Sequence, residues 1–445
     1  MSLELYRHFE TRGLRYAVVG DVSEYPERIR SDLDIVIEPE FIRDVSRLLE
    51  DFFEERGARL AQALQHEQTA WHFSFVWEDD MEVLQFIHPD LCGDYYRNGR
   101  LLLAAKEILS NRVRATGPGG DDLGFYVPRP ATAFLYYLLK RIDKADLGET
   151  QGRYLSEQWR RDPQGAEMQT RRFWSAGEAT RIRRAAESED WGSLQASIPS
   201  LRRSLRSRVG WRPSWWMGEL RRIIGRLRHP TGIWLAVLGP DGSGKSTVIE
   251  RLRTELAPLF RRTRVVHLRP FLGRSRSQSG PVTEPHAERP RSSTASLIKL
   301  GYWLFDYSMG YLLQTRPALI RSTLVLYDRY YPDLLADPMR YRYGASLRPV
   351  RGMMGLIPQP DLYVVLDVDS SAIHERKTEL PIDELERQRG VYRALARSLS
   401  NAHLVDASVP PDQVARRVEG LVLDHMERRV LHRLAPRRKT LRRSL

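Results

Sequence analysis

The chain has 445 residues, 42% of them hydrophobic, and a formal net charge of +13. That length suits two or three domains, each with its own core, and a single cysteine, Cys92, excludes an internal disulfide and gives no support for a thiolate metal site. The positive excess is arginine, 63 against seven lysines, much of it alternating with glutamate. This pattern fits a solvated surface and argues against nucleic acid as a partner.

Residues 1–145 alternate helix and strand patterns. Leu3–Gly13 reads as a helix, Tyr16–Val19 and Asp34–Ile37 as strands, and Phe41–Arg56 as an amphipathic helix. Trp71–Trp77 and Met81–His88 form an expected antiparallel pair turning at Glu78-Asp79-Asp80. Asp32 and Asp34, at i and i+2 by a strand, face the same way and can hold Mg²⁺. Residues 146–230 are rich in arginine, tryptophan and serine. They show helical periodicity in Thr180–Glu187 and Gly218–Leu227, so a helical connector is expected, partly disordered around Arg153–Gly165. Pro230-Thr231-Gly232 ends it.

Residues 231–430 again alternate strand and helix, as a parallel sheet between two helical layers does. The expected strands are Ile233–Leu238, Arg264–Leu268, Leu324–Tyr327 and Leu362–Leu366. Residues 273–294 read as a long mobile loop. Residues 431–445 form a basic tail, a solvated end that leaves peripheral contact with an anionic membrane open. No stretch has the apolar length of a transmembrane helix, and the N-terminus lacks a signal-peptide pattern, so the expected location is cytoplasmic.

The sharpest signal follows the strand Ile233–Leu238. Gly239-Pro240-Asp241-Gly242-Ser243-Gly244-Lys245-Ser246-Thr247 is a phosphate-binding loop between a strand and a helical pattern. Its glycines let successive N–H groups turn toward phosphate oxygens, Lys245 reaches the β- and γ-phosphates of ATP, and Ser246 holds Mg²⁺. Two later strands end in carboxylates, at Asp328 and Asp367. Asp328 beside Arg329 suits phosphoryl transfer, the acid organising Mg²⁺ or the acceptor and the arginine neutralising an acceptor anion. A plain ion pair is the alternative.

Over its last 200 residues or so the chain resembles the thymidylate kinases. The loop matches theirs, and Asp328-Arg329-Tyr330 matches their Asp-Arg-Tyr signature. The resemblance implies that Asp241 binds a sugar hydroxyl of the acceptor and that Arg329 contacts the acceptor phosphate. It makes Arg269-Pro270 a remnant of an Arg-Glu-Pro-Gly segment and puts Arg376 and Arg387 where lid arginines reach the nucleotide. The thymine-reading residues are replaced: Tyr307 stands where the family has an arginine, and Asp333–Tyr343 replaces a Ser/Ala-Tyr-Gln segment. The expectation is an ATP-dependent kinase with a changed acceptor, a small molecule or glycan bearing sugar hydroxyls. A true dTMP kinase and a non-catalytic ATP-binding regulator are the alternatives, and a homodimer is compatible with each.

The first 145 residues resemble the nucleotidyltransferase superfamily. Tyr16–Val19 ends in Gly20, and Asp32-Leu33-Asp34 follows at that family's spacing. The resemblance makes Asp32 and Asp34 the metal carboxylates. Asp21 replaces the family's serine, and the third carboxylate falls to Glu82 or Asp90.

Overall fold

A computed structural model describes residues 1–25, 32–117, 119–210, 212–267, 289–376 and 380–441. The chain forms two compact units, residues 1–224 with 434–445, and residues 225–433. Arg269-Pro270 and most of the loop expected at 273–294 lie outside the described residues.

In the first unit, α1 (Ser2–Thr11) precedes β1 (Tyr16–Val18) and β2 (Leu33–Ile37). Then come α2 (Val45–Glu54), the long pair β3 (Arg59–Glu67) and β4 (Ala70–Glu78), and the short strands β5 (Leu84–Ile87) and β6 (Pro89–Cys92). The sheet runs β1-β2-β6-β4-β3, with β5 on β4. Only β2 and β6 pair in parallel, which sets Asp34 against Asp90. The β4–β5 turn falls where expected: the Asp79 carboxylate accepts the N–H groups of Met81 and Val83, each at 2.9 Å.

Two hairpins follow, β7 (Tyr95–Arg97) with β8 (Arg100–Leu103), and, after α3 (Ala105–Ser110), β9 (Arg112–Thr116) with β10 (Asp122–Pro128). Five helices come next: α4 (Pro130–Lys144), α5 (Glu149–Arg161), α6 (Pro163–Arg171), α7 (Ala176–Ser188) and α8 (Ile198–Arg208). They share one core. Phe134 and Leu138 of α4 pack with Trp159, Trp174, Ile182, Trp191 and Leu201. The region expected as a connector is therefore, up to Ile224, part of the first unit. Arg153–Gly165 is helical on both sides of the cap residue Asp162, because its arginines face water while Tyr154, Leu155 and Trp159 are buried. The last helix of the stretch is α9 (Ser214–Arg228).

The second unit is a parallel sheet of five strands, ordered β12-β13-β11-β14-β15. These are β11 (Ile233–Leu238), β12 (Arg262–His267), β13 (Thr323–Asp328), β14 (Leu362–Asp367) and β15 (Ala402–Asp406). Central β11 is buried at all six positions, as a strand covered on both faces must be. Between strands lie α10 (Lys245–Glu255), α11 (Ser293–Gly310), α12 (Arg316–Ile320), α13 (Asp333–Ala336), α14 (Arg348–Met353), α15 (Ser370–Arg376) and α16 (Ile382–Ser398). The closing helix α17 (Pro411–Leu441) continues into the segment expected as a frayed tail. An aromatic cluster fills one side of the sheet: Trp234 lies 5.2 Å from Tyr330 and 5.4 Å from Tyr327, ring to ring.

Candidate functional site

Strand β11 ends at Leu238, and the loop that follows is shaped by backbone that other residues resist. Gly239 has φ +148°, and a Cβ there would stand 2.8 Å from Ser243 Oγ and 3.0 Å from the Leu366 carbonyl oxygen. Gly244, at φ +89°, caps α10 in the left-handed region. Helix α10 then starts at Lys245, so its first N–H groups and positive dipole end face the loop. The buried Lys245 ammonium donates to the carbonyls of Gly239 (2.9 Å) and Pro240 (2.6 Å) and lies 3.8 Å from Asp241. Ser243 Oγ and Asp328 Oδ1 are buried without a hydrogen-bond partner. A cradle that a Cβ would fill, a held ammonium and two orphaned buried oxygens fit a phosphate–cation group. Ser246 and Thr247 are exposed beside Lys245 on the first turn of α10.

Asp328 ends β13, in register with Val237 of β11. Its Oδ2 lies 3.2 Å from His267 Nδ1 at the end of β12. Arg329 follows with φ +71° and is only 4% exposed. It donates to both oxygens of Asp333, at 2.9 and 2.8 Å, and to Asp241. Burial disfavours the Arg329 charge, but Asp333 outweighs it and raises the pKa. Asp333 is fully buried and also accepts the hydroxyls of Tyr341 (3.0 Å) and Tyr392. Arg340 completes the cluster, donating to Asp241 and Asp337. Two guanidinium groups thus meet on the carboxylate of the phosphate loop.

Sequence reasoning named Asp241, Asp328 and Arg329 but not Arg340, Asp333 or Asp337. Their signal was faint: Asp337 and Arg340 sit at i and i+3 in the replaced segment. Arg387 of α16 donates to Glu384 and to the Ala336 carbonyl at 2.7 Å. The arginines at the strand ends are instead Arg389 and Arg393, which hold Asp367 at 2.7 and 2.8 Å. Burial would raise the Asp367 pKa, but hydrogen bonds from Arg393 and Arg389 outweigh it and hold the carboxyl below its usual range. The side chain of Arg376 lies outside the described residues. Tyr307 is buried, its ring 4.8 Å from Tyr330 and 5.9 Å from Tyr331, so it makes an aromatic core contact.

The first unit holds a second cluster. Gly20, Asp21, Tyr25, Asp32, Asp34, Tyr137, Lys140 and Arg141 line a cavity of about 310 Å³. Helix α4 supplies Tyr137, Lys140 and Arg141 from one face. Lys140 Nζ donates to Asp34 Oδ2 at 2.8 Å. Burial works against the Lys140 charge, yet Asp34 outweighs it and its pKa rises. Asp32, His72 and Asp90 offer ligand atoms that lie within 4.8 Å of one another. Burial, reinforced by Asp34, pushes the Asp90 carboxyl up to about 8. Asp32 is thus in a converging set, whereas Asp34 is engaged by Lys140. Of the two candidates for a third carboxylate, Asp90 sits opposite Asp34, and Glu82 lies in the β4–β5 turn. Carboxylate oxygens and one imidazole suit a divalent cation such as Mg²⁺ or Mn²⁺.

No family model matches the chain. Among curated proteins it is similar to a thymidylate kinase of Xanthomonas oryzae pv. oryzae, 27% identical over 214 residues, covering 44% of this chain and 84% of that protein. A thymidylate kinase of Xanthomonas campestris pv. campestris is 28% identical over 217 residues, with the same coverage. A probable thymidylate kinase of Pyrobaculum aerophilum is 29% identical over 199 residues, covering 42% of this chain and 95% of that one. The solved structure of a thymidylate kinase from Ehrlichia chaffeensis covers 43% of this chain at 16% identity, with a TM-score of 0.32. About 44% of the chain is thus homologous to thymidylate kinases.

Proposed function

We propose that the second unit is an ATP-dependent phosphotransferase whose acceptor differs from dTMP and carries sugar hydroxyls, as a small molecule or glycan. The observation that supports this most is the pairing of Arg329 and Arg340 on Asp241, directly in the phosphate loop. A loop that only bound ATP would have no need for a pair of arginines, one of them buried, on its acceptor side. Lys245 and the start of α10 would hold the β- and γ-phosphates, and Ser246 with Asp328 would hold Mg²⁺, which neutralises phosphate charge. Arg329 and Arg340 would bind an anionic group of the acceptor by exchanging Asp241 for it. The buried Tyr307 supports the changed acceptor, because no cation remains at that position to read thymine. Transfer from labelled ATP to dTMP, other nucleotides, sugars and cell-envelope extracts tests the reading. Strong turnover of dTMP would make the protein an ordinary thymidylate kinase, and tight ATP binding without any transfer would favour the regulator.

For the first unit we infer a metal-dependent nucleotidyltransferase-like site, supported by the convergence of Asp32, His72 and Asp90, whose ligand atoms lie within 4.8 Å of one another. Titration of the full chain with Mn²⁺ tests it. Asp32→Asn with Asp90→Asn should abolish binding, and unchanged binding would contradict the assignment.

A further inference from the structure

Helix α9 carries an apolar stripe that neither candidate site uses. Trp216, Met217, Leu220, Ile223 and Ile224 are all exposed, from 36% at Ile224 to 65% at Met217. At the helical repeat these five fall within an arc of about 120°. Leu227, also exposed, continues the stripe. The opposite face is the packed one: a Cβ on Gly218 would stand 2.3 Å from Gln68 Oε1, and the Gln68 amide donates to the Trp215 carbonyl. Exposed apolar side chains this concentrated on one stripe mark a contact surface.

The charges say what would cover it. Arg221 and Arg228 are exposed along one edge of the stripe. Glu219 is the only acid on the helix, and its carboxylate is taken by Arg222. The surface thus combines aliphatic side chains, an indole near one end and an arginine border. That is the make-up of a helix lying in a bilayer interface, about 22 Å long. Among the described residues no helix is long and apolar enough to cross a membrane, so contact of this helix would be at the surface. We propose that α9 seats the protein on an anionic lipid bilayer, with its apolar stripe in the headgroup–acyl boundary and Arg221 and Arg228 on lipid phosphates.

Co-sedimentation of the full chain with phosphatidylcholine vesicles, with and without phosphatidylglycerol, tests this. Binding should require the anionic lipid and weaken with salt. Leu220→Glu with Ile223→Glu should lower vesicle binding at least about tenfold while circular dichroism and ATP binding stay unchanged. Arg221→Glu with Arg228→Glu leaves the stripe intact and should lower binding to anionic vesicles by about tenfold or more. It decides the matter if the first variant fails to fold. Absence of binding to anionic vesicles, or binding that neither variant reduces, overturns the proposal. So does a doubled mass in light scattering that Leu220→Glu abolishes without any vesicle binding, which would give the stripe to a second copy.

Discussion

Lys245 spends its ammonium on the carbonyls of Gly239 and Pro240, which keeps the loop curved before a nucleotide arrives. Lys245→Ala should therefore lower phosphoryl transfer about 100-fold or more, with the fold intact by circular dichroism. Asp333 has a different task. It holds Arg329 through two hydrogen bonds inside the protein, so Asp333→Ala leaves a buried guanidinium without its bidentate carboxylate partner. The expected loss is about 3–5 kcal/mol of stability, read by urea denaturation. Asp367 makes stability depend on acid. Its folded pKa lies below its unfolded one, so its contribution is present above the unfolded value and fades as pH falls through the folded one. Urea midpoints should drop below about pH 4, and Arg393→Ala should flatten that acid dependence. At this scale Lys245, Asp328 and Arg329 were legible because they lie in contiguous motifs. Arg340, Asp333 and Arg393 were not. Their roles come from partners that only folding brings near, such as the 99 positions between Asp241 and Arg340.

The turn from β11 into α10 sets the phosphate site, and it rests on Gly239. Gly239→Ala would press a Cβ against Ser243 Oγ and the Leu366 carbonyl and strain the left-handed backbone. ATP affinity, measured by calorimetry, should fall about tenfold or more, at a cost of about 1–3 kcal/mol in stability. Strands β11, β13 and β14 could be read from sequence because buried parallel strands are continuously apolar. Edge strand β15 is five residues long and includes polar His403 and Asp406, and β3 carries Arg59, Gln62, Gln65 and His66, so neither stood out. The helices over 149–171 were hidden by arginine content, although their buried face is aromatic and aliphatic. Asp90 could not be told from Glu82 as the third carboxylate, because a parallel register between distant strands leaves no local trace: Asp34 and Asp90 face each other through the β2–β6 pairing.

At the level of the whole chain, two sheets of different build serve two candidate chemistries. The first unit gathers Asp32, Asp34 and, from α4, Lys140 around a cavity, with His72 and Asp90 converging on Asp32, while the parallel sheet of the second carries a phosphate loop and an arginine pair at its strand ends. The class of the second site was legible because the loop motif is long and local. Its acceptor was not, because the residues gathered on Asp241 come from dispersed segments. Net charge, +13, bears on surface contacts and not on either chemistry. Phosphoryl transfer by the intact chain is the deciding property. Labelled ATP and Mg²⁺ supplied with dTMP and with sugar-containing acceptors should give label on a sugar-containing acceptor, little on dTMP, and none with Lys245→Ala. Efficient labelling of dTMP, or transfer that survives Lys245→Ala, would contradict it.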